Sequence, residues 1–116
     1  MPEPRSVLIL GGTAEGRALA VACTAVGIQV LSSLAGRMSN PALPVGAVRI
    51  GGFGGVVGLT AYLREQPITA VVDATHPFAA TISASAASAC SATSLPLLRL
   101  ARPGWSDRPG ALPTVR

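Results

Sequence analysis

The amino-acid sequence predicts an α/β protein built on a doubly wound parallel sheet of about five strands. Three observations lead to this fold class. Short apolar runs alternate with longer Ala-rich stretches, each run ends in a Gly-rich or polar loop, and 116 residues suit a single domain. Because strands that alternate with helices pair in parallel through right-handed crossovers, helices should cover both faces of the sheet.

Each predicted element has its own signal. Residues 6–10 form an apolar run that is typical of a strand covered on both faces. Residues 15–25 carry apolar side chains at helical spacing, and Gly27 follows as a C-terminal stop. The other predicted strands are residues 28–31, 47–50, 70–72 and 97–100, and the other predicted helices are residues 56–64 and 78–91.

Composition limits the possible partners. All nine basic residues are Arg, the net charge is +4, and aromatic residues make up 3% of the chain. A nucleic-acid interface would show a dense basic stripe or interleaved basic and aromatic residues. Neither is present, so the sequence favours an anionic small ligand held by a few Arg side chains and no nucleic acid.

Cysteine usage and hydropathy exclude further classes. Cys23 and Cys90 lie far apart, no CxxC occurs, and the chain has one His, so we predict no metal site and two small buried thiols. Residues 77–98 are uncharged but crowded with Ser and Thr, which favours a buried helix leading into a strand over a membrane span. We therefore expect a cytoplasmic protein with no membrane partner.

The loop after the first predicted strand is rich in glycine and precedes a helix. Gly11 and Gly12 would let the backbone turn tightly and approach a pyrophosphate, while the helix N-terminus offers unpaired N–H groups. The dinucleotide fingerprint GxGxxG is only partly matched, because Thr13 takes the place of its middle glycine. A phosphate loop and a tight turn without a ligand both remain open.

The second loop distinguishes between dinucleotide cofactors. NAD usually requires Asp or Glu near the end of the second strand, but no acidic residue lies between Glu15 and Glu65. This segment reads SSLAGR over residues 32–37 instead, and hydroxyls followed by the guanidinium of Arg37 suit a ribose 2′-phosphate. If a dinucleotide binds here, the sequence favours NADP over NAD, with a solvated surface charge as the alternative role of Arg37.

Four glycines surround one aromatic residue in residues 51–55. A segment so rich in glycine loses much backbone entropy on folding. An ordinary loop has no need of four glycines around one aromatic residue. A ligand that approaches the backbone of Gly52 and Gly54, with the Phe53 ring as a contact face, explains the composition better than a plain flexible loop.

The only His lies in the segment DATHPF, residues 73–78, after the fourth predicted strand. In a sheet of order 3-2-1-4-5 this loop and the first Gly-rich loop flank the switch point, where open α/β sheets bind ligands. Three roles are open for His76: a hydrogen bond that braces the loop, a ligand contact, or a general acid. A hydrolase triad of Asp73, His76 and a nearby Ser is excluded, because one turn and its helix cannot separate the three groups.

Together the motifs GGTAEGR, SLAGR, GGFGG, DATHPFA and LLRLARPGW, in this order and spacing, resemble the N-terminal half of the precorrin-6A reductase and cobalt-precorrin-6A reductase family of corrin (vitamin B12) biosynthesis. The resemblance covers residues 7–105. It implies an NADPH-dependent oxidoreductase that reduces one double bond of an anionic tetrapyrrole, with the protein supplying orientation and electrostatics.

The resemblance also implies roles for single residues. Those that would bind the cofactor are Gly11, Gly12, Thr13 and Glu15 in the phosphate loop, Ser33 and Arg37 at the ribose phosphate, Gly52, Phe53 and Gly54 beside the nicotinamide or the macrocycle, and Thr75 in the reaction cleft. Those that would act on the substrate are the catalytic candidates His76 and Asp73, and Phe78, Arg99 and Arg102 as substrate contacts, the two arginines pairing with acetate or propionate groups.

The resemblance divides the chain into a Rossmann-like, NADP-binding domain over residues 1–100 and an irregular extension over residues 101–116. Family members are substantially longer and add a second α/β domain. We therefore expect that domain to be absent here, through a frameshift or early end near Gly110, and the chain to be a truncated reductase. The alternatives are an NADP-binding module without catalytic activity and a marginally folded fragment.

Overall fold

The computed structural model describes residues 6–34, 43–76 and 79–100, and within them strands alternate with helices as predicted. This confirms the α/β fold class. In chain order the elements are β1 (Ser6–Leu10), α1 (Ala14–Ala25), β2 (Gln29–Leu34), β3 (Ala47–Ile50), α2 (Gly55–Glu65), β4 (Ala70–Asp73), α3 (Ala80–Thr93) and β5 (Leu97–Arg99).

The five strands form one sheet in the predicted order, β3-β2-β1-β4-β5. All neighbouring strands are parallel, and Leu10 at the end of β1 lies opposite Ser33 of β2 and Asp73 of β4. The order of the strands reverses between β1 and β4, so the loops that follow these two strands leave a crevice between them at the carboxyl edge of the sheet.

Strand β2 continues three residues beyond its predicted end at Leu31. Ser32 and Ser33 are polar, so the apolar signal stops before them, yet both stay paired with β1 and β3. The N–H of Gly11 also donates to the carbonyl of Ser33 at 2.9 Å. The side chain of Ser33 is therefore held by the sheet rather than by a loop.

Apolar side chains cover both faces of the sheet. On one face Leu8 of β1 packs in a cluster with Leu59 of α2 and Ala86 of α3, and none of the three has exposed surface. On the opposite face Ile9 packs with Ala20 of α1. Coverage of both faces explains why the strands are apolar runs rather than alternating patterns.

The uncharged segment over residues 77–98 contains α3 and the start of β5, as predicted. Ser94 ends α3 in the left-handed conformation with φ of 60°. Among the described residues, no helix has the length and apolarity to cross a membrane. The same residues contain no cluster of metal-ligating side chains, and both thiols are free, with Cys90 buried in the core and Cys23 half-buried.

Candidate functional site

A cleft of about 420 Å³ lies at the carboxyl edge of the sheet, at the predicted switch point. The loops after β1, β3 and β4 and the end of β2 form its walls, and the start of α3 closes one side. Its lining residues in the described part of the chain are Leu10, Gly11, Gly12, Ser33, Leu34, Gly51, Gly52, Phe53, Thr75, His76, Ala79 and Ile82.

The loop after β1 is tied to the end of β4 through Thr13, the N-cap residue of α1. The Thr13 hydroxyl accepts a hydrogen bond from the N–H of Gly16 at 3.1 Å and donates one to the carbonyl of Ala74 at 2.6 Å. Gly12 has φ of 106°, a conformation that favours glycine. The predicted phosphate loop is therefore built as a rigid turn, with Glu15 in the first turn of the helix.

Ser33 is 7% exposed and lines the cleft beside Leu10 and Gly11. Its hydroxyl accepts a hydrogen bond from Nη1 of Arg49 at 3.4 Å, because the two residues face each other across β2 and β3. The predicted partner of Ser33, Arg37, lies outside the described residues.

Arg49, which the sequence reasoning did not consider, contacts two residues of the cleft wall, Ser33 and Phe53, but is not itself among the lining residues. Its guanidinium stacks on the ring of Phe53, 4.0 Å from the centroid, and lies 5.2 Å from the Tyr62 centroid. It also donates to the carbonyls of Gly51 at 2.9 Å and Gly52 at 3.3 Å. The signal that could have revealed it is a basic residue at the end of a strand, just before a Gly-rich loop.

The loop over residues 51–55 needs its glycines for conformation. Gly51, Gly54 and Gly55 have φ values of 117°, 86° and 72°, which residues with a side chain rarely adopt. Gly58 in α2 is needed for a different reason, because a Cβ there would overlap the carbonyl of Phe53. The backbone of Gly51 and Gly52 and the ring of Phe53 thus form one wall of the cleft.

Behind the cleft, β4, β5 and α3 share a polar cluster. Asp73 is 3% exposed. One of its carboxylate oxygens accepts from the N–H and hydroxyl of Thr75, at 3.1 and 2.6 Å, and the other accepts from Arg99 at 2.7 Å. Arg99 also donates to the hydroxyl of Ser83 at 2.9 Å.

This cluster keeps Asp73 ionised. Burial raises the pKa of the Asp73 carboxyl, but hydrogen bonds from Ser83 and Thr75, together with the charge of Arg99, outweigh burial and hold the pKa below its ordinary value. Asp73 does not line the cleft, and its carboxylate is hydrogen-bonded to Thr75, which does.

Of the fifteen predicted site residues, the structure brings seven together in the lining of the cleft: Gly11, Gly12, Ser33, Gly52, Phe53, Thr75 and His76. Thr13, Glu15 and Gly54 are not among the lining residues. The exposed His76 thus lines the cleft, whereas the other catalytic candidate, Asp73, and the predicted substrate contact Arg99 bind each other behind it. Their pairing follows from their register across β4 and β5. Phe78 and Arg102 lie outside the described residues.

A doubly wound sheet with a glycine-rich turn and a cleft at its switch point defines a Rossmann-like domain. Comparison with known proteins identifies its family: residues 6–115 match the model of "Precorrin-6x reductase CbiJ/CobK". The chain belongs to this family, which confirms the resemblance that the motifs indicated.

Individual relatives agree with the family assignment. The chain is 65% identical to a precorrin-6A reductase of Mycobacterium tuberculosis over 85% of its length and 58% identical to one of Rhodococcus erythropolis over 90%. A solved structure of CobK precorrin-6A reductase superposes with a TM-score of 0.83 at 42% identity, over 91% of this chain. The chain spans 40–42% of the length of these three proteins.

Proposed function

We propose that this chain carries the NADPH-binding part of an oxidoreductase that reduces precorrin-6A, or its cobalt-containing counterpart, in cobalamin biosynthesis. The observation that carries the proposal is the cleft in which a glycine turn, the end of β2 and the loop after β4 converge. None of the described residues that line it is acidic, so a phosphorylated ribose meets no like charge there. The names of the relatives support the reaction and the tetrapyrrole substrate.

The order of the strands supports an orientation for the cofactor. Gly11 and Gly12 at the central strand suit the pyrophosphate, because the N-terminus of α1 lies directly after them. Ser33 and the wall around Phe53 lie on the β2–β3 side, which suits the adenosine half. The nicotinamide half then lies on the β4 side, beside Thr75 and His76. This orientation assigns Phe53 to the adenosine rather than to the nicotinamide or the macrocycle.

The chemistry divides between the cofactor and this chain. NADPH, when bound, supplies the hydride. The chain supplies a rigid turn for the phosphates and a polar edge at Thr75 and His76, where the tetrapyrrole would meet the nicotinamide. Asp73 acts as a positioning residue, because it holds both the N–H and the hydroxyl of Thr75. Among the candidate catalytic residues, His76 is the one whose side chain lines the cleft.

Two measurements on the 116-residue chain test this function. NADPH should raise the midpoint of a cooperative thermal transition, by the equivalent of about 2.7 kcal/mol at a concentration 100 times its dissociation constant. Absence of a cooperative transition would favour the alternative of a marginally folded fragment. Absorbance spectroscopy of precorrin-6A with NADPH then separates a reductase, which changes the spectrum of the tetrapyrrole, from a module that only binds the nucleotide.

A further inference from the structure

Arg49 holds a fixed positive charge against the wall of the cleft. Its guanidinium lies 4.0 Å from the centroid of the Phe53 ring and 5.2 Å from that of Tyr62, and the two rings meet edge to face at 5.1 Å. Stacking on aromatic faces restricts a guanidinium that would otherwise move with its long side chain. The charge therefore stays beside the Ser33 hydroxyl without a ligand to hold it there.

This charge has no anionic partner in residues 6–34, 43–76 and 79–100. The acceptors that the structure shows for Arg49 are the hydroxyl of Ser33 and the carbonyls of Gly51 and Gly52, all of them neutral. A guanidinium has five N–H donors, and these contacts use three of them. Arg99, by contrast, is neutralised by the carboxylate of Asp73.

The distances bring an anion on Ser33 within range of Arg49. A phosphate oxygen that accepts a hydrogen bond from the Ser33 hydroxyl lies about 2.5–2.7 Å from its Oγ. Since that Oγ lies 3.4 Å from Nη1 of Arg49, the phosphate oxygen lies within roughly 6 Å of the guanidinium in any direction of approach. At that separation near a protein surface, opposite charges attract far more strongly than in bulk water.

We propose that Arg49 is a specificity-determining residue that selects a phosphomonoester on the adenosine ribose of the dinucleotide. The inference rests on the proposed function, because it takes Ser33 as the ribose-phosphate residue. A neutral 2′-hydroxyl gains little from the guanidinium, whereas a phosphate dianion gains a full electrostatic attraction. The competing role is that of a loop clamp, in which Arg49 merely fixes Gly51 and Gly52 and serves both cofactors equally.

The test compares NADPH and NADH on the wild type, Arg49→Gln and Arg49→Lys, by fluorescence titration. Arg49→Gln keeps a donor for the carbonyls but loses the charge. Arg64→Gln is the matched control, since it removes one Arg from the exposed end of α2, away from the cleft. We expect Arg49→Gln to weaken NADPH binding by roughly 10- to 100-fold and NADH binding by less than about twofold. The NADPH affinity of Arg49→Lys should lie between those of Arg49→Gln and the wild type, and the control variant should change the affinity for neither cofactor.

Equal weakening of both cofactors by Arg49→Gln, or no weakening of either, would overturn the proposal in favour of a loop clamp. If the wild type binds NADPH and NADH equally, or binds neither, the proposed function is wrong and the role of Arg49 is wrong with it. If the wild type prefers NADPH but Arg49→Gln does not reduce that preference, only the role of Arg49 is wrong. Should the variants not fold, the side-chain Nε–H signal of Arg49 in the wild type decides. It should shift further in NMR spectra on addition of 2′-AMP than on addition of adenosine, and an equal or smaller shift with 2′-AMP would contradict the proposal.

Discussion

Asp73 and Arg99 lie directly opposite each other on β4 and β5, and Nη1 of Arg99 donates to the Asp73 carboxylate at 2.7 Å. The carboxylate is almost fully buried, while the Arg99 side chain is 34% exposed. The other carboxylate oxygen holds Thr75, which lines the cleft. The ion pair thus joins the edge of the sheet to the loop on which His76 lies.

Replacing Asp73 by Asn should lower the free energy of unfolding by about 1–3 kcal/mol, because Arg99 then has no charged acceptor in this cluster. This loss of stability should be smaller than the loss on breaking a fully buried ion pair, since the Arg99 side chain is partly exposed to solvent. Urea denaturation checks this. Glu65→Gln, at the exposed end of α2, is the matched control and should change stability by less than about 0.5 kcal/mol. An Asp73→Asn protein as stable as the wild type would show that the pair has no net stabilising effect.

The pH dependence of this difference follows from the lowered pKa of Asp73. A carboxylate whose pKa is lower in the folded than in the unfolded state stabilises fully above about pH 4, the ordinary value for Asp, and loses this effect as pH falls through the folded pKa. The gap in stability between wild type and Asp73→Asn should therefore be constant near neutrality and shrink below pH of about 4. A difference in stability between the two proteins that widens on acidification would contradict the lowered pKa of Asp73.

Thr13 should matter for stability as an N-cap and as a link to β4. Thr13→Ala removes both the cap to Gly16 and the bond to the Ala74 carbonyl, and we expect a loss of about 1–2 kcal/mol. Thr13→Ser keeps the hydroxyl and should lose less than about half of that. Thermal denaturation of the two variants measures the difference. Equal losses would assign the effect to the methyl group rather than to the hydroxyl.

Gly58 should be required for the position of the Phe53 wall. In Gly58→Ala the new Cβ overlaps the Phe53 carbonyl, so the loop must move, and we expect a loss of about 1–3 kcal/mol together with weaker NADPH binding. Ala61→Ser, on the exposed face of the same helix, should affect neither property. Unchanged NADPH affinity in Gly58→Ala would show that the wall around Phe53 does not contact the cofactor.

The strands could be predicted because they are short, mostly apolar runs that end at a loop signal, and their alternation with helices indicated parallel pairing. Strand β2 ends later than predicted, since Ser32 and Ser33 carry no apolar signal and are held in the ladder by their neighbours. Helix α3 begins at Ala80, two residues after the predicted start at residue 78. Both differences concern element boundaries, which local sequence signals specify least well.

The side-chain partners could not be predicted, because they depend on register. Asp73 and Arg99 are 26 residues apart, and only the pairing of β4 with β5 shows that they bind each other rather than a ligand. The same holds for Ser33 and Arg49 across β2 and β3. The sequence reasoning paired Ser33 with Arg37, which lies outside the described residues, and did not consider Arg49, whose contact with Ser33 depends on strand register.

The proposed function requires that the cleft bind NADPH through the phosphate on its adenosine ribose. The most direct test is the ratio of dissociation constants for NADH and NADPH on the wild-type chain, measured by fluorescence titration at fixed salt concentration. We expect NADPH to bind roughly 10- to 100-fold more tightly, as a charge-assisted hydrogen bond from Ser33 and the charge of Arg49 would give. A ratio near one, or tighter binding of NADH, would contradict the account.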